Sequence, residues 1–146
     1  ELAHSDDPAR LWTWAPRIAA GASLLAVVGA VASWIALPTI IATIYGADFE
    51  PPRLASAFGG AGVGLGLGAL FATQVYSAAA RGAMLATGWI LALVAALSIL
   101  VFSGLDPIDR VALSFVVGEG TGVLILGVVV PLVTLRGERL ISGSSP

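Results

Sequence analysis

The amino-acid sequence predicts an all-α integral membrane protein: a four-transmembrane-helix bundle with short loops, both termini cytoplasmic, and a tandem two-helix repeat. Three observations carry that expectation. Only 11% of the 146 residues are charged, 58% are hydrophobic, and the mean hydropathy is +0.97. A soluble domain carries about 25% charged residues, so a chain with under half that charge has hydrocarbon as its natural solvent. Four apolar runs each supply the ~20 residues that a spanning helix needs. Finally, a short polar phrase of acid, proline, arginine and apolar residue recurs beside those runs, as "DDPARL" (Asp6–Leu11), "EPPRLA" (Glu50–Ala55) and "LDPIDRVA" (Leu105–Ala112).

The elements follow in order within a single transmembrane domain, 1–146. Residues 1–16 read as a polar tail and an interfacial segment, with Pro8 starting a short helix that carries Trp12 and Trp14. The first span runs from about Arg17 to Leu37, or past Pro38 to Tyr45. Its apolar run exceeds the usual 7–15 residues of a signal peptide, so it reads as a span and not a cleaved leader. The second span covers Leu54 to about Ala80, the third Gly82 to Phe102, and the fourth Val111 to Leu135. Residues 136–146 form a polar tail.

The recurring phrase reads as a helix starter at a membrane surface. In "LDPIDRVA", Asp106 is expected to cap the helix by accepting orphan backbone N–H groups. Pro107 suits the first helical position, where its missing donor does no harm. Asp109 places negative charge at the positive end of the helix dipole, and Arg110 can lay its stem on the apolar rim with its head in water. Glu50, Pro51 and Arg53 are expected to do the same for the second span. Pro38 and Pro131 free the carbonyls of Trp34 and Gly127, and each is expected to kink its helix.

Arginine placement sets the orientation. With four spans, one side holds Arg10, Arg17, Arg81, Arg136 and Arg139, and the other holds Arg53 and Arg110 beside Asp48, Glu50, Asp106 and Asp109. The bias places both termini in the cytoplasm. Trp12 and Trp14 then anchor the inner interface, and Trp34 and Tyr45 the outer one. Short connections predict that consecutive helices pack as antiparallel hairpins. The likeness of Arg53-Leu-Ala-Ser-Ala-Phe58 to Arg110-Val-Ala-Leu-Ser-Phe115 motivates the two-helix repeat, with an axis along the membrane normal.

The second span contains "GGAGVGLGLG", Gly59 to Gly68. Gly60, Gly64 and Gly68 share one helix face, and Gly62 and Gly66 lie nearly opposite. Small residues four apart let helix backbones approach closely in lipid, so this helix is expected to be gripped on two sides. Gly118 and Gly122 repeat the spacing in the fourth span, and Ala22, Ala26 and Ala30 give a milder version in the first. A phosphate-binding loop is not expected, because no strand precedes the run and no Gly-Lys-Ser/Thr follows it.

The fourth span holds Glu119, the one acidic residue well inside an apolar run, roughly 12 Å from Val111 at ~1.5 Å per residue. An ionised carboxylate in hydrocarbon is costly, so this residue is expected to carry a proton or to meet water or a polar partner. The internal candidates are Thr121, Ser114, Ser33, Tyr76 and Gln74. An intramembrane acid is by default a candidate ion or proton site, and the competing role is a hydrogen bond to a neighbouring helix or subunit. Glu119, Thr121 and Gln74 are the candidate site residues.

Other chemistries lack their residues. No cysteine is present, and the single histidine, His4, lies in the polar tail, which excludes thiolate chemistry, disulfides and histidine-pair haem within the membrane. Neither a metal-ligand cluster nor a nucleophile set occurs, so no enzyme, cofactor or metal is expected. The net charge of −2 supports no nucleic-acid partner. All seven basic residues are arginine, a bias that points to a prokaryotic source.

The run Gly60-Ala-Gly-Val-Gly-Leu-Gly-Leu-Gly68 with Glu119 resembles the glycine helix and proton-carrying carboxylate of the proteolipid c subunits of rotary ATPases. The resemblance implies a proton site at Glu119. The order departs from that family: there the glycine helix opens a hairpin and the acidic helix follows it, whereas here a whole span lies between them. Glycines also flank Glu119 where that family has bulkier residues, and the chain is not assigned to it.

The sequence therefore leads to two expectations. The first is a non-catalytic, small, multi-pass subunit of a cell membrane, packing with lipid, with other membrane subunits or with copies of itself. The alternative is a proton- or ion-coupled transporter, channel or translocating subunit that uses Glu119.

Overall fold

The computed structural model describes residues 8–78 and 82–129. These form α1 (Pro8–Tyr45), a 3-10 turn (Ala47–Phe49), α2 (Arg53–Ala78), α3 (Gly82–Phe102), α4 (Pro107–Leu124) and a π turn (Ile125–Val129) that prolongs α4, with no strand among them. Four stretches are long and apolar enough to cross a membrane: Pro16–Tyr45, Arg53–Ser77, Gly82–Phe102 and Pro107–Val129. The fold is that of a multi-pass helical membrane protein. Asp6, Asp7, Arg81, Pro131, the expected end of the fourth span, Arg136, Arg139 and the C-terminal tail lie outside the described residues, as do the side chains of Arg10 and Trp12.

Helix α1 differs from the expected pair of segments. It is a single helix of 38 residues containing both Pro16 and Pro38, about 57 Å long at ~1.5 Å per residue. The stretch read as a separate interfacial helix is its first turns. Each proline removes one backbone donor, but neither is accompanied by a residue that takes the chain out of helical geometry. That residue is Gly46, whose φ of 98° lies where an L side chain is strained.

The helix starts also need correction. Pro107 does open α4, with Asp106 at the N-cap position and Asp109 in the first turn, but the Asp106 side chain makes no capping hydrogen bond. Its backbone carbonyl instead accepts the Arg110 N–H at 2.9 Å, and the Arg110 guanidinium donates to the Leu105 carbonyl at 2.8 Å. In the second copy the helix opens at Arg53, one residue before the expected span start at Leu54 but two after Pro51, which was expected to open it. Glu50, in extended geometry, closes the 3-10 turn, and α2 begins at Arg53 after two prolines outside regular structure, with the Pro52 carbonyl accepting the Ser56 N–H at 3.0 Å. Two successive prolines explain the delay, because the second disfavours helical geometry at the first.

The helices pack in the spatial order α1, α2, α4, α3. Helix α1 lies antiparallel on α2, since Gly29 meets Gly60, Leu25 meets Gly64 and Ala22 meets Gly68. Helix α3 lies antiparallel on α4, with Ala96 against Gly118 and Leu126 against Gly88. The two central helices run parallel, pairing Gly62 with Phe115 and Gly66 with Glu119. Consecutive helices therefore form hairpins in the first and last pairs, but α2 and α3 barely touch despite their short connection. The cause is steric: the glycine faces of α2 are occupied by α1 and α4.

Burial follows the same order. Within the apolar spans, 33% of the α2 window and 28% of the α4 window are buried, against 6% for α1 and 11% for α3, so the outer helices carry most of the exposed apolar surface. The core joins all four helices where α2 and α4 end. Ala22, Ala69 and Val123 pack there with Trp89, and Ala72, Tyr76 and Leu126 pack with Ile18 and Leu85. At the opposite end the helices part around an apolar groove of about 700 Å³ between α1, α2 and α4, lined by Leu37, Ile41, Ala55, Val111 and Phe115.

Candidate functional site between the central helices

The glycine run builds two different seams. On the α1 side the contact is backbone to backbone: a Cβ placed on Gly60 would strike the Gly29 carbonyl and Ser33 Oγ, and one on Gly64 would lie 2.6 Å from the Ala26 nitrogen. Opposite, Gly62 receives the Phe115 ring, with a placed Cβ 2.6 Å from Cε1. One turn on, Gly66 leaves room for the Glu119 side chain, whose Cδ and Oε2 would lie 3.5 Å from a Cβ at that position. Gly118 packs on Ala92 and Ala96, and Gly122 on Ala92, which closes the α3–α4 seam. Phe115 was not among the residues singled out from sequence, although its spacing of four from Glu119 places both on one face of α4.

Glu119 stands twelve residues after Pro107 and ten before Val129, at the middle of the fourth span. It is half-buried, and its Oε2 is enclosed with no hydrogen-bond partner among the described residues. The candidate partners are engaged elsewhere. Thr121 donates to the Val117 carbonyl at 2.7 Å and Ser114 to the Val111 carbonyl at 2.8 Å, each within α4. Tyr76 donates to the Leu126 carbonyl at 2.5 Å. Ser33 lies in the α1–α2 seam against Gly60, and Gln74 is exposed on α2. Short hydroxyls reach their own helix backbone more readily than a group across a seam, and that geometry separates Glu119 from them.

The Tyr76 hydroxyl donates to the Leu126 carbonyl within the π turn and so ties that turn to α2 across the central seam. A second cross-helix bond links Trp89 Nε1 to Thr73 Oγ1 at 3.3 Å.

Four exposed hydroxyls are satisfied within their own helices. Ser23, Thr43, Thr87 and Ser98 each donate to the carbonyl four residues earlier, at 2.7–3.0 Å. Among the described residues, the enclosed side-chain atoms without a hydrogen-bond partner are Glu119 Oε2 at mid-span and atoms of Ser103, Asp109 and Arg110 at the α3–α4 corner. A charged carboxylate at the bilayer centre costs about 2.5–3.5 kcal/mol on insertion scales. The enclosed oxygen therefore needs a proton, a cation or an incoming donor. Among the described residues no cluster of histidine and carboxylate side chains could hold a metal ion. Comparison with family models, with curated proteins and with solved structures finds no match to this chain.

Proposed function

We propose that this chain is a small, non-catalytic integral membrane subunit that packs within a larger membrane complex or a homo-oligomer, in the cell membrane of a prokaryote with both termini cytoplasmic. The observation that carries this reading is the exposure of the outer helices: the apolar windows of α1 and α3 are only 6% and 11% buried within the chain. Most residues of both helices therefore keep exposed surface outside their own seams, open to lipid or to a neighbour. The glycine seams supply rigidity rather than chemistry. The arginine asymmetry supports the orientation, and the two antiparallel hairpins joined through parallel α2 and α4 support a tandem two-helix repeat.

The test is purification of the full chain in mild detergent from its native membrane, with native mass spectrometry of what accompanies it. Co-purifying membrane subunits, or a defined homo-oligomer, are expected. A monodisperse single copy with transport activity of its own overturns the reading.

One observation favours a second reading, a proton- or ion-coupled translocating role for Glu119: its Oε2 is enclosed at mid-span without a hydrogen-bond partner among the described residues. Reconstitution in liposomes separates the two. On this reading wild type carries a proton or cation flux that Glu119→Gln abolishes while the helical content and melting temperature are kept. No wild-type flux, or flux unchanged by the substitution, removes it.

A further inference from the structure

A groove of about 480 Å³ runs down the outside of the α1–α2 seam, well within the ~300–1,000 Å³ of small-molecule sites. Its floor is Ala22 and Gly68, both buried, and its walls are Leu25, Leu67 and Phe71. At its mouth stand Trp14 and Arg17, with the Arg17 guanidinium 5.5 Å from the centre of the Trp14 ring. The groove starts where the first span starts, at Pro16. From Arg17 to Leu25 it descends about 12 Å at ~1.5 Å per residue, close to the ~15 Å of one leaflet's hydrocarbon.

These features have one occupant in common. From the groove's position, dimensions and charge we infer that it holds a single anionic phospholipid, with its phosphate at Arg17 and the upper part of one acyl chain along Ala22 and Gly68. The apolar walls match an acyl chain and offer no polar group to a hydrophilic ligand. The mouth carries a cation that, among the described residues, makes no ion pair; its recorded contact is the ring of Trp14. A ring face holds a guanidinium in place without neutralising it, so the charge stays available to phosphate, which arginine recognises with paired donors. Tryptophan at the headgroup level fixes the depth. The inference is independent of whether the chain is a subunit or a transporter.

Two substitutions separate the parts of the site. Arg17→Gln removes the charge and leaves the groove. Gly21→Leu fills the groove, because Gly21 lines it and a Cβ there meets no other atom within 4 Å; leucine also favours helix, so the fold is retained. The full-length chain is exchanged into detergent with phosphatidylglycerol and phosphatidylcholine of identical acyl chains, and bound lipids are counted by native mass spectrometry. A surface arginine contributes to anionic-lipid attraction by an amount equivalent to about fivefold. Wild type is expected to retain phosphatidylglycerol over phosphatidylcholine by about that factor. Arg17→Gln should bring the ratio to parity, and Gly21→Leu should lower retention of both lipids. Glycerol phosphate, which has the anion but no chain, should not displace the bound lipid. The inference is overturned by a preference unchanged in Arg17→Gln, by lipid retention unchanged in Gly21→Leu, or by displacement with glycerol phosphate.

Discussion

Replacing Gly64 by alanine tests the packing directly. The new Cβ would meet the Leu25 carbonyl carbon at 2.5 Å and the Ala26 nitrogen at 2.6 Å, where ordinary contact begins at 3.4 Å. Those atoms are backbone in the middle of α1 and cannot swing aside, so the two helices must part by about 0.8–0.9 Å, the difference between these distances. A gap of 0.5–1 Å forfeits a quarter to a half of the dispersion energy of each facing contact. Overpacking of this kind costs about 1–3 kcal/mol, and alanine returns up to about 1 kcal/mol of helix propensity. With that return the net loss is about 0–2 kcal/mol, and the difference from a glycine-to-alanine change without the clash is about 1–3 kcal/mol. Gly59→Ala is the matched control: it lies in the same helix and makes the same chemical change, but its Cβ meets nothing within 4 Å. It should be neutral or stabilising by up to about 1 kcal/mol. The assay is reversible unfolding in mixed micelles under increasing denaturing detergent, followed by circular dichroism. Equal stability of the Gly64→Ala and Gly59→Ala proteins would refute the assignment of that face to the α1 seam.

Other outcomes follow from the same contacts. Tyr76→Phe removes the donor that α2 gives to the Leu126 carbonyl and should cost about 0.6–2 kcal/mol, the range for hydrogen bonds between membrane helices; an unfolding midpoint equal to wild type would count against a structural role for that bond. Gly62→Ala should be destabilising through the Phe115 ring, and Phe115→Leu in the same chain should restore part of the loss. A double-mutant cycle should give a coupling of about 0.5–3 kcal/mol, and additive effects would show that the two residues do not share a seam. Gly66→Ala should leave stability near wild type, because its Cβ would only touch Glu119 at 3.5 Å; a large loss would mean that the carboxyl group lies closer to α2 than its position here.

Much of the core site was within reach of the sequence, and its limits are instructive. The i, i+4 spacing of Gly60, Gly64 and Gly68, against Gly62 and Gly66, identifies two opposed small faces on one helix, because helical geometry makes residue spacing equivalent to angle. Nothing in that spacing says which helix meets which face. The expectation that α2 would pair with its successor α3 rested on loop length, and loop length constrains only where the ends lie. Glu119 was conspicuous for its depth, but its neighbours were misjudged, because Thr121, Ser114 and Tyr76 all satisfy backbone carbonyls instead of the carboxyl group.

The sequence by itself determined the solvent, the number of rods and their approximate ends, since these follow from hydrocarbon thickness and from the need of every backbone N–H and C=O to be paired inside a helix. Tertiary structure alone decided the order α1, α2, α4, α3, the parallel contact of α2 with α4, and the enclosure of Glu119 Oε2 without a partner among the described residues. The physical reason is that composition measures affinity for lipid, which is nearly the same for all four rods, whereas their arrangement depends on which small surfaces fit within a few tenths of an ångström.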